Sequence, residues 1–440
     1  MKSIKTKKTF VLTLLLSAIL FWIGLGVGDN MSDFKFWIDS TWSTIKLEWF
    51  FIVIYIGFRR RLPPFHYLWA QHKFITLVAI LWLATVSLSY ITSPYYSWQN
   101  SLAAMRYMET VSHFIFFLFL WDFFTHYSVN YRMIFTAIIL STLVIIGYFI
   151  YIHFTFPYLE ADDLVFSMRS EQLVFNTHLH RIGYQVEATI AFTTAFLFSR
   201  KQNYLAFILI GVLFVFLLWL GGRAAILGSM LTIIICLFYF WKSISPKILI
   251  VFGIFTAVLL SVVLYFQLLN LEYFVHAIQK TLHAGSFNHL LTGRIEVWSL
   301  VLQELKGHWL LGTGPQSYFF YLGRHSEVIH AHNFILQFLG EWGIIGSILF
   351  FILLYHAIVS GIRKNIKQSA HIFPFQFSAL LVIFSLTVTG LFSGIYFFQQ
   401  SEIYLTLAFA IITTPIKKRF PIAPTSLYGD PHTTKSMISV

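Results

Sequence analysis

Charge is what this 440-residue chain has least of: 11% of its residues are Asp, Glu, Lys or Arg, against 58% hydrophobic, with a mean hydropathy of +0.73. A soluble protein of this length needs far more polar surface, so a soluble enzyme or binding module is excluded. Cysteine occurs once, as Cys236 inside an apolar run, which excludes a disulfide within one chain. The alternating segments of roughly ten residues that mark an outer-membrane barrel are missing. An internal repeat and a segment with the composition of a soluble domain are missing too.

What the chain has instead is apolar runs long enough to cross a bilayer core of about 30 Å, which takes roughly 20 helical residues. Read this way, the runs give about twelve spans, at 10–28, 42–58, 74–91, 107–124, 133–153, 186–199, 204–220, 224–241, 248–266, 333–360, 375–394 and 402–415. The spans near Trp42, Val186 and Glu402 are short or polar at one end. With both termini on the cytoplasmic side, most of the 30 basic residues fall in short cytoplasmic segments, among them Lys2, Lys5, Lys7, Lys8, Arg59, Arg60, Arg61, Lys242, Lys247, Arg363 and Lys417. This is the positive-inside pattern. The net charge of +12 therefore reports topology and calls for no nucleic-acid partner. The Lys-rich head and first apolar run could serve as a secretory signal; with the other spans following, they read as an uncleaved first helix.

Two connections are long, 154–185 and 267–332, and both fall on the outer side. The expected division is thus helices over 1–266, a large outer loop over 267–332, further helices over 333–415 and a cytoplasmic tail over 416–440. The tail lacks periodicity and reads as disordered. The large loop does not. In "TGRIEVWSLVLQELKGHWLLGTG", Ile295, Trp298, Leu302 and Leu305 recur at helical spacing, while Glu296, Ser299, Gln303 and Lys306 fall opposite. This predicts an amphipathic helix lying flat at the outer membrane surface, with Thr292 as N-cap and Arg294 in its first turn.

Lys35, Lys46, Arg106, Arg169, Arg181, Arg223, Lys280, Arg294, Lys306 and Arg324 are the basic residues left outside the cytoplasmic segments. Solvated loop charge accounts for Lys35, Lys280 and Lys306. Arg223 is different: in "LWLGGRAAILG" it follows a Gly-Gly turn and opens an apolar helix. A helix start with an arginine and close glycine backbone is an anion site. Arg294 repeats the arrangement, and Arg181, in "HLHRIGYQ", precedes another span. An anion bound among helices at the bilayer surface implies a lipid phosphate or diphosphate. The segment "HAHNFILQFLGEWGIIG", 330–346, adds a second polar feature. Asn333, Gln337 and Glu341 are spaced i, i+4, i+8, one stripe about 12 Å long, which must face a protein interior or a wet cavity. Gly340, Gly343 and Gly346 permit close approach of neighbouring helices. His332 stands at the outer end of the stripe, placed to act as a base. His330 and His332 with Glu327 could instead bind a metal, but the loop offers no further ligand cluster, and the site is read as metal-free with no cofactor.

Taken together, "RIEVWSLVLQELKGHWLLGTGPQSY" and "HAHNFILQFLGEWGIIG" resemble the signature region of the bacterial O-antigen ligase/polymerase superfamily. His332-Asn333, nine residues, then Gly343-Ile344-Ile345-Gly346 fits that family's His-Asn-x9-Gly-x-x-Gly pattern, and Arg223 and Arg294 stand where the family has functional arginines. The resemblance implies an all-helical, polytopic fold similar to class C glycosyltransferases, with glycosyl transfer at the periplasmic face of the inner membrane. The implied donor is a glycan on undecaprenyl diphosphate, and in ligases the acceptor is a sugar hydroxyl of lipid A-core. His332 is then the expected catalytic base, and Arg223, Arg294 and Arg181 the diphosphate grip. His330, Asn333, Gln337 and Glu341 orient base or sugar. O-antigen polymerases and O-linked protein oligosaccharyltransferases share the pattern; the length, with no soluble C-terminal domain, favours a ligase or polymerase, and the reading adopted is ligase. A transporter or flippase of lipid-linked glycan is the rival from another class. Carriers carry repeats and a polar site at the midplane, whereas here the polar residues collect at the outer surface.

Overall fold

The computed structural model describes residues 2–26, 33–59, 69–70, 72–95, 101–155, 179–198, 203–240, 253, 279, 294–318, 330–366 and 373–414. Among these residues there are helices and turns and no strand. In chain order the helices are α1 (Lys2–Leu25), α2 (Asp33–Arg59), α3 (Lys73–Thr92), α4 (Ser101–His126), α5 (Tyr131–Thr155), α6 (Leu179–Thr193), α7 (Asn203–Leu220), α8 (Arg223–Phe240), α9 (Arg294–Glu304), α10 (Phe334–Ile366), α11 (Phe373–Gly390) and α12 (Gln399–Thr413). A 3₁₀ turn, Thr194–Phe198, continues α6, and another, Ile395–Phe397, precedes α12. The expected span at 248–266 lies outside the described residues apart from Gly253, as do Thr292, Arg324, Glu327, the tail, and most of both long connections.

Among the described residues, five helical stretches are long and apolar enough to cross a membrane: Thr6–Leu25, Lys73–Thr92, Leu102–His126, Tyr131–Tyr151 and Phe334–Arg363. Their outer faces leave Phe10, Phe74, Ile91 and Tyr355 at least 60% exposed, a surface that lipid would cover. This is the make-up of a polytopic membrane protein. At the expected spans 186–199 and 402–415, α6 and α12 are 15 residues each, α6 carried on by the 3₁₀ turn to Phe198, and both are buried among other helices. Their polar residues are consumed internally. Thr189 and Thr193 donate to the carbonyls of Gln185 and Thr189 at 2.8 and 2.7 Å. Gln185 donates to Thr142 on α5 at 3.1 Å, and Ser378 on α11 to the Ala191 carbonyl at 2.5 Å. Inside a bundle with no water to turn to, the last two of these bonds join helices that have little hydrophobic reason to associate.

The apolar run 333–360 reads as one straight span; the structure breaks it. Within α10, Gly343 adopts φ 66°, ψ −171°, a conformation essentially confined to glycine. The amides freed by the break are taken by the turn that follows α9: Ile344 N–H donates to the Trp309 carbonyl at 2.8 Å and Ile345 N–H to Leu310 at 3.3 Å. In return Thr313 donates through both its N–H and its hydroxyl to the Gly340 carbonyl, at 2.7 and 3.0 Å. Gly340 and Gly343 thus make room for Tyr318 and for the Leu310–Gly312 backbone, while Gly346 approaches Thr85 on α3. The expectation that all three glycines serve helix–helix contact is corrected for the first two.

The face of α9 is corrected as well. Val297, Val301 and Leu305 are buried, packed with Tyr318, Ala331, Leu336 and Leu339, whereas Ile295 and Leu302 are 37% and 41% exposed. The segment carries two overlapping apolar stripes, and the one with two β-branched valines meets the protein.

Candidate functional site

The turn His330-Ala331-His332 precedes α10 and is held from three sides. Trp298 Nε1 on α9 donates to the Ala331 carbonyl at 2.9 Å. Asn333 caps α10, its Oδ1 accepting from Leu336 N–H at 3.1 Å, and its amide donates to the Leu391 carbonyl at 3.0 Å. His332 itself has φ 50°, a left-handed conformation that His tolerates better than most residues. Its N–H donates to His330 Nδ1 at 3.3 Å, and the two rings lie 3.9 Å apart. An accepting Nδ1 leaves the proton of neutral His330 on Nε2. His330 is buried against Gly394, where a Cβ would come within 2.4 Å of its ring. His332 is half-exposed.

The two helix-start arginines lie within electrostatic reach of each other, and the helix that opens on Arg294 also carries the Trp298 that holds this turn. Gly221, at φ 68°, makes the expected Gly-Gly turn, and α8 begins at Arg223. α9 begins at Arg294. Burial holds the Arg294 guanidinium below its ordinary range; neighbouring Tyr184 acts the other way, and the positive charge of Arg223 lowers it further. Each arginine is half-buried and sits in a first turn whose leading amides lack intrahelical partners. Two like charges held in reach of each other at two helix starts make a place for an anion.

Tyr184 joins the halves of this arrangement. Its hydroxyl hydrogen-bonds Ser393, next to the Gly394 on which His330 lies, and its ring is 5.6 Å from Phe398, which meets His330 edge-on at 6.0 Å. Neither Tyr184 nor Ser393 was picked out by sequence; the only local signal was Tyr184 one helical turn after Arg181. Arg181 lies on the first turn of α6, and its side chain is outside the described residues.

Gln337 and Glu341 face the interior, fully buried as their stripe required, but they are engaged in a second polar cluster. Gln337 Nε2 donates to the Tyr396 carbonyl at 3.3 Å and to Glu341 Oε1 at 3.5 Å. Glu341 Oε2 lies 3.9 Å from Arg106 Nε. Arg106, 2% exposed, pairs with Glu109 at 2.7 Å and Glu402 at 2.8 Å and donates to the Tyr396 carbonyl. His113 completes the cluster, with Nδ1 2.6 Å from Glu48. Of the stripe, Asn333 adjoins the histidine turn, as the residue that follows it and caps α10. The spacing of Arg106, Glu109 and His113 on one helix was the signal for this cluster in the sequence.

Residues 205–351 match the family model described as O-antigen ligase. The matched stretch runs from α7 past the break in α10 and takes in Arg223, Arg294 and the His330–His332 turn. No curated protein matches the chain.

Proposed function

We propose, with the match over residues 205–351 in support, that this chain is an O-antigen ligase of the O-antigen ligase/polymerase superfamily. It transfers a glycan from undecaprenyl diphosphate to a sugar hydroxyl of lipid A-core at the periplasmic face of the inner membrane. The observation that carries the reading is that Arg223 and Arg294, at two helix starts, lie within electrostatic reach of each other, and that α9 also holds the turn that presents a half-exposed His332. The arginines suit the diphosphate, whose negative charge grows as it leaves, and they neutralise it with planar, bidentate hydrogen bonds. His332 suits the acceptor: its ring nitrogen takes the hydroxyl proton as that oxygen bonds to the anomeric carbon. In the same step the glycosyl C–O bond breaks, its electron pair going to undecaprenyl diphosphate, and the displacement inverts the anomeric centre. His330, fixed under Gly394 and accepting from the His332 amide, holds the base in place. Asn333 anchors the same turn, and Arg181, on the first turn of α6, is a third candidate for the diphosphate.

A deletion strain examined on a lipopolysaccharide gel tests the acceptor. Loss of a ligase leaves bare core while polymer accumulates on its lipid carrier. Core bearing a single repeat would move the assignment to polymerase. An unchanged gel with sugar lost from a periplasmic protein would move it to protein glycosylation.

A further inference from the structure

We propose that Glu109, His113 and Glu402 hold a divalent metal ion of the zinc or manganese class, at a structural site that pins α2, α4 and α12 together and stands apart from the transfer site. Glu109 and His113 are one turn apart on α4 and share a face, and Glu402 comes from the first turn of α12. One donor atom from each lies within 4.8 Å of the others. Small side-chain rotations would bring them onto an ion bound at about 2.1 Å. One imidazole with two carboxylates is a ligand set that suits these metals.

The way the remaining atoms are used points to the same centre. Arg106 occupies one oxygen of each carboxylate, Glu109 Oε2 at 2.7 Å and Glu402 Oε1 at 2.8 Å. The other oxygens, Glu109 Oε1 and Glu402 Oε2, lie 3.9 and 3.0 Å from His113 Nε2. Glu109 Oε1 is fully buried and makes no hydrogen bond, and the buried His113 Nε2 meets Glu402 Oε2 at 3.0 Å, the pair an ion would bridge. The far nitrogen, Nδ1, is 2.6 Å from Glu48 Oε1 on α2. A carboxylate on the remote nitrogen is how metal-bound histidines are oriented, with the proton kept on that side and the lone pair of Nε2 turned to the ion.

Charge supports the assignment independently. Glu48, Glu109, Glu341 and Glu402 stand against one guanidinium and one imidazole, so the carboxylates outnumber the cations even with His113 protonated. Within a helix bundle such an excess must be met by bound protons or by a cation. A partly open cavity of about 470 Å³, walled by Trp82, Phe338 and Trp342, reaches Arg106, His113 and Glu402 and gives an ion a way in.

Metal content of the full chain, purified in detergent and measured by plasma mass spectrometry, tests the proposal. About one zinc or manganese per chain is expected in the wild type. Glu109→Gln and His113→Gln should each lose it, whereas Glu187→Gln, a buried carboxylate elsewhere in the bundle, should keep it. A metal-poor wild type, or variants that retain the ion, would overturn the site and leave a cluster balanced by protons only. Should the variants fail to accumulate, chelator-treated wild type decides: zinc or manganese chloride must raise its thermal midpoint saturably near one equivalent, and a flat response rejects the proposal.

Discussion

Replacing Gly343 by alanine is the sharpest perturbation of the geometry that brings α9 to the histidine turn. Its φ of 66° with ψ of −171° lies in a region essentially reserved for glycine, so an alanine held there costs roughly 1–3 kcal/mol in backbone strain. Its Cβ would sit 2.3 Å from the Leu310 carbonyl oxygen and 2.5 Å from the Gly312 nitrogen. Both are main-chain atoms, which cannot rotate aside as a side chain would. The turn after α9 must therefore retreat, and the bonds from Ile344 to Trp309 and from Ile345 to Leu310 go with it, at about 1 kcal/mol each. The sum is on the order of 3–5 kcal/mol, and a large part of a domain's stability is of that size. Gly57→Ala is the control: nothing lies within 4 Å of its Cβ position inside α2, so alanine should be neutral or stabilising by about 0.5–1 kcal/mol. The assay is a thermal midpoint in detergent together with glycan transfer in isolated membranes. Gly343→Ala should lose transfer wherever it still folds, because the retreating turn is continuous with α9, which carries Arg294 and Trp298. Wild-type midpoint and wild-type transfer in Gly343→Ala would refute the reasoning.

Arg223→Ala and Arg294→Ala should each cost about 1.5–3 kcal/mol of charge-assisted binding, read as weaker donor binding in membranes, and lysine should rescue poorly for want of the planar fork. Normal activity in both alanine variants at normal membrane levels would sink the diphosphate assignment. His332→Ala should abolish turnover with donor binding largely kept; a dead His330→Ala beside an active His332→Ala would exchange their roles. Trp298→Phe removes the hydrogen bond to the Ala331 carbonyl, worth about 1 kcal/mol, and should lower turnover several-fold with no change in donor binding; an unaltered rate would mean that the turn is held without α9.

Local chemistry in this chain is legible from local sequence, and the misses all arise where a partner comes from far along the chain. The Gly-Gly turn and the helix start at Arg223 follow from five adjacent residues. So does the cap at Asn333, whose Oδ1 serves the amide three residues on. α3 spans Lys73–Thr92, close to the apolar run that predicts it. The break at Gly343 has no such signature: hydropathy is continuous across it, and the carbonyls that make it tolerable belong to Trp309 and Leu310. The buried face of α9 is undetermined locally because Ile295-Trp298-Leu302 and Val297-Val301 are both apolar stripes. Tyr318 and Ala331 make the choice. The same holds for charge. Arg106, Glu109 and His113 share one helix, but Glu48, Glu341 and Glu402, which turn three scattered polar residues into a cluster, arrive on three other helices. Tyr184 makes the point most directly. Its importance rests on Ser393, Phe398 and Arg294, which only the packing of α6 against its neighbours brings within reach.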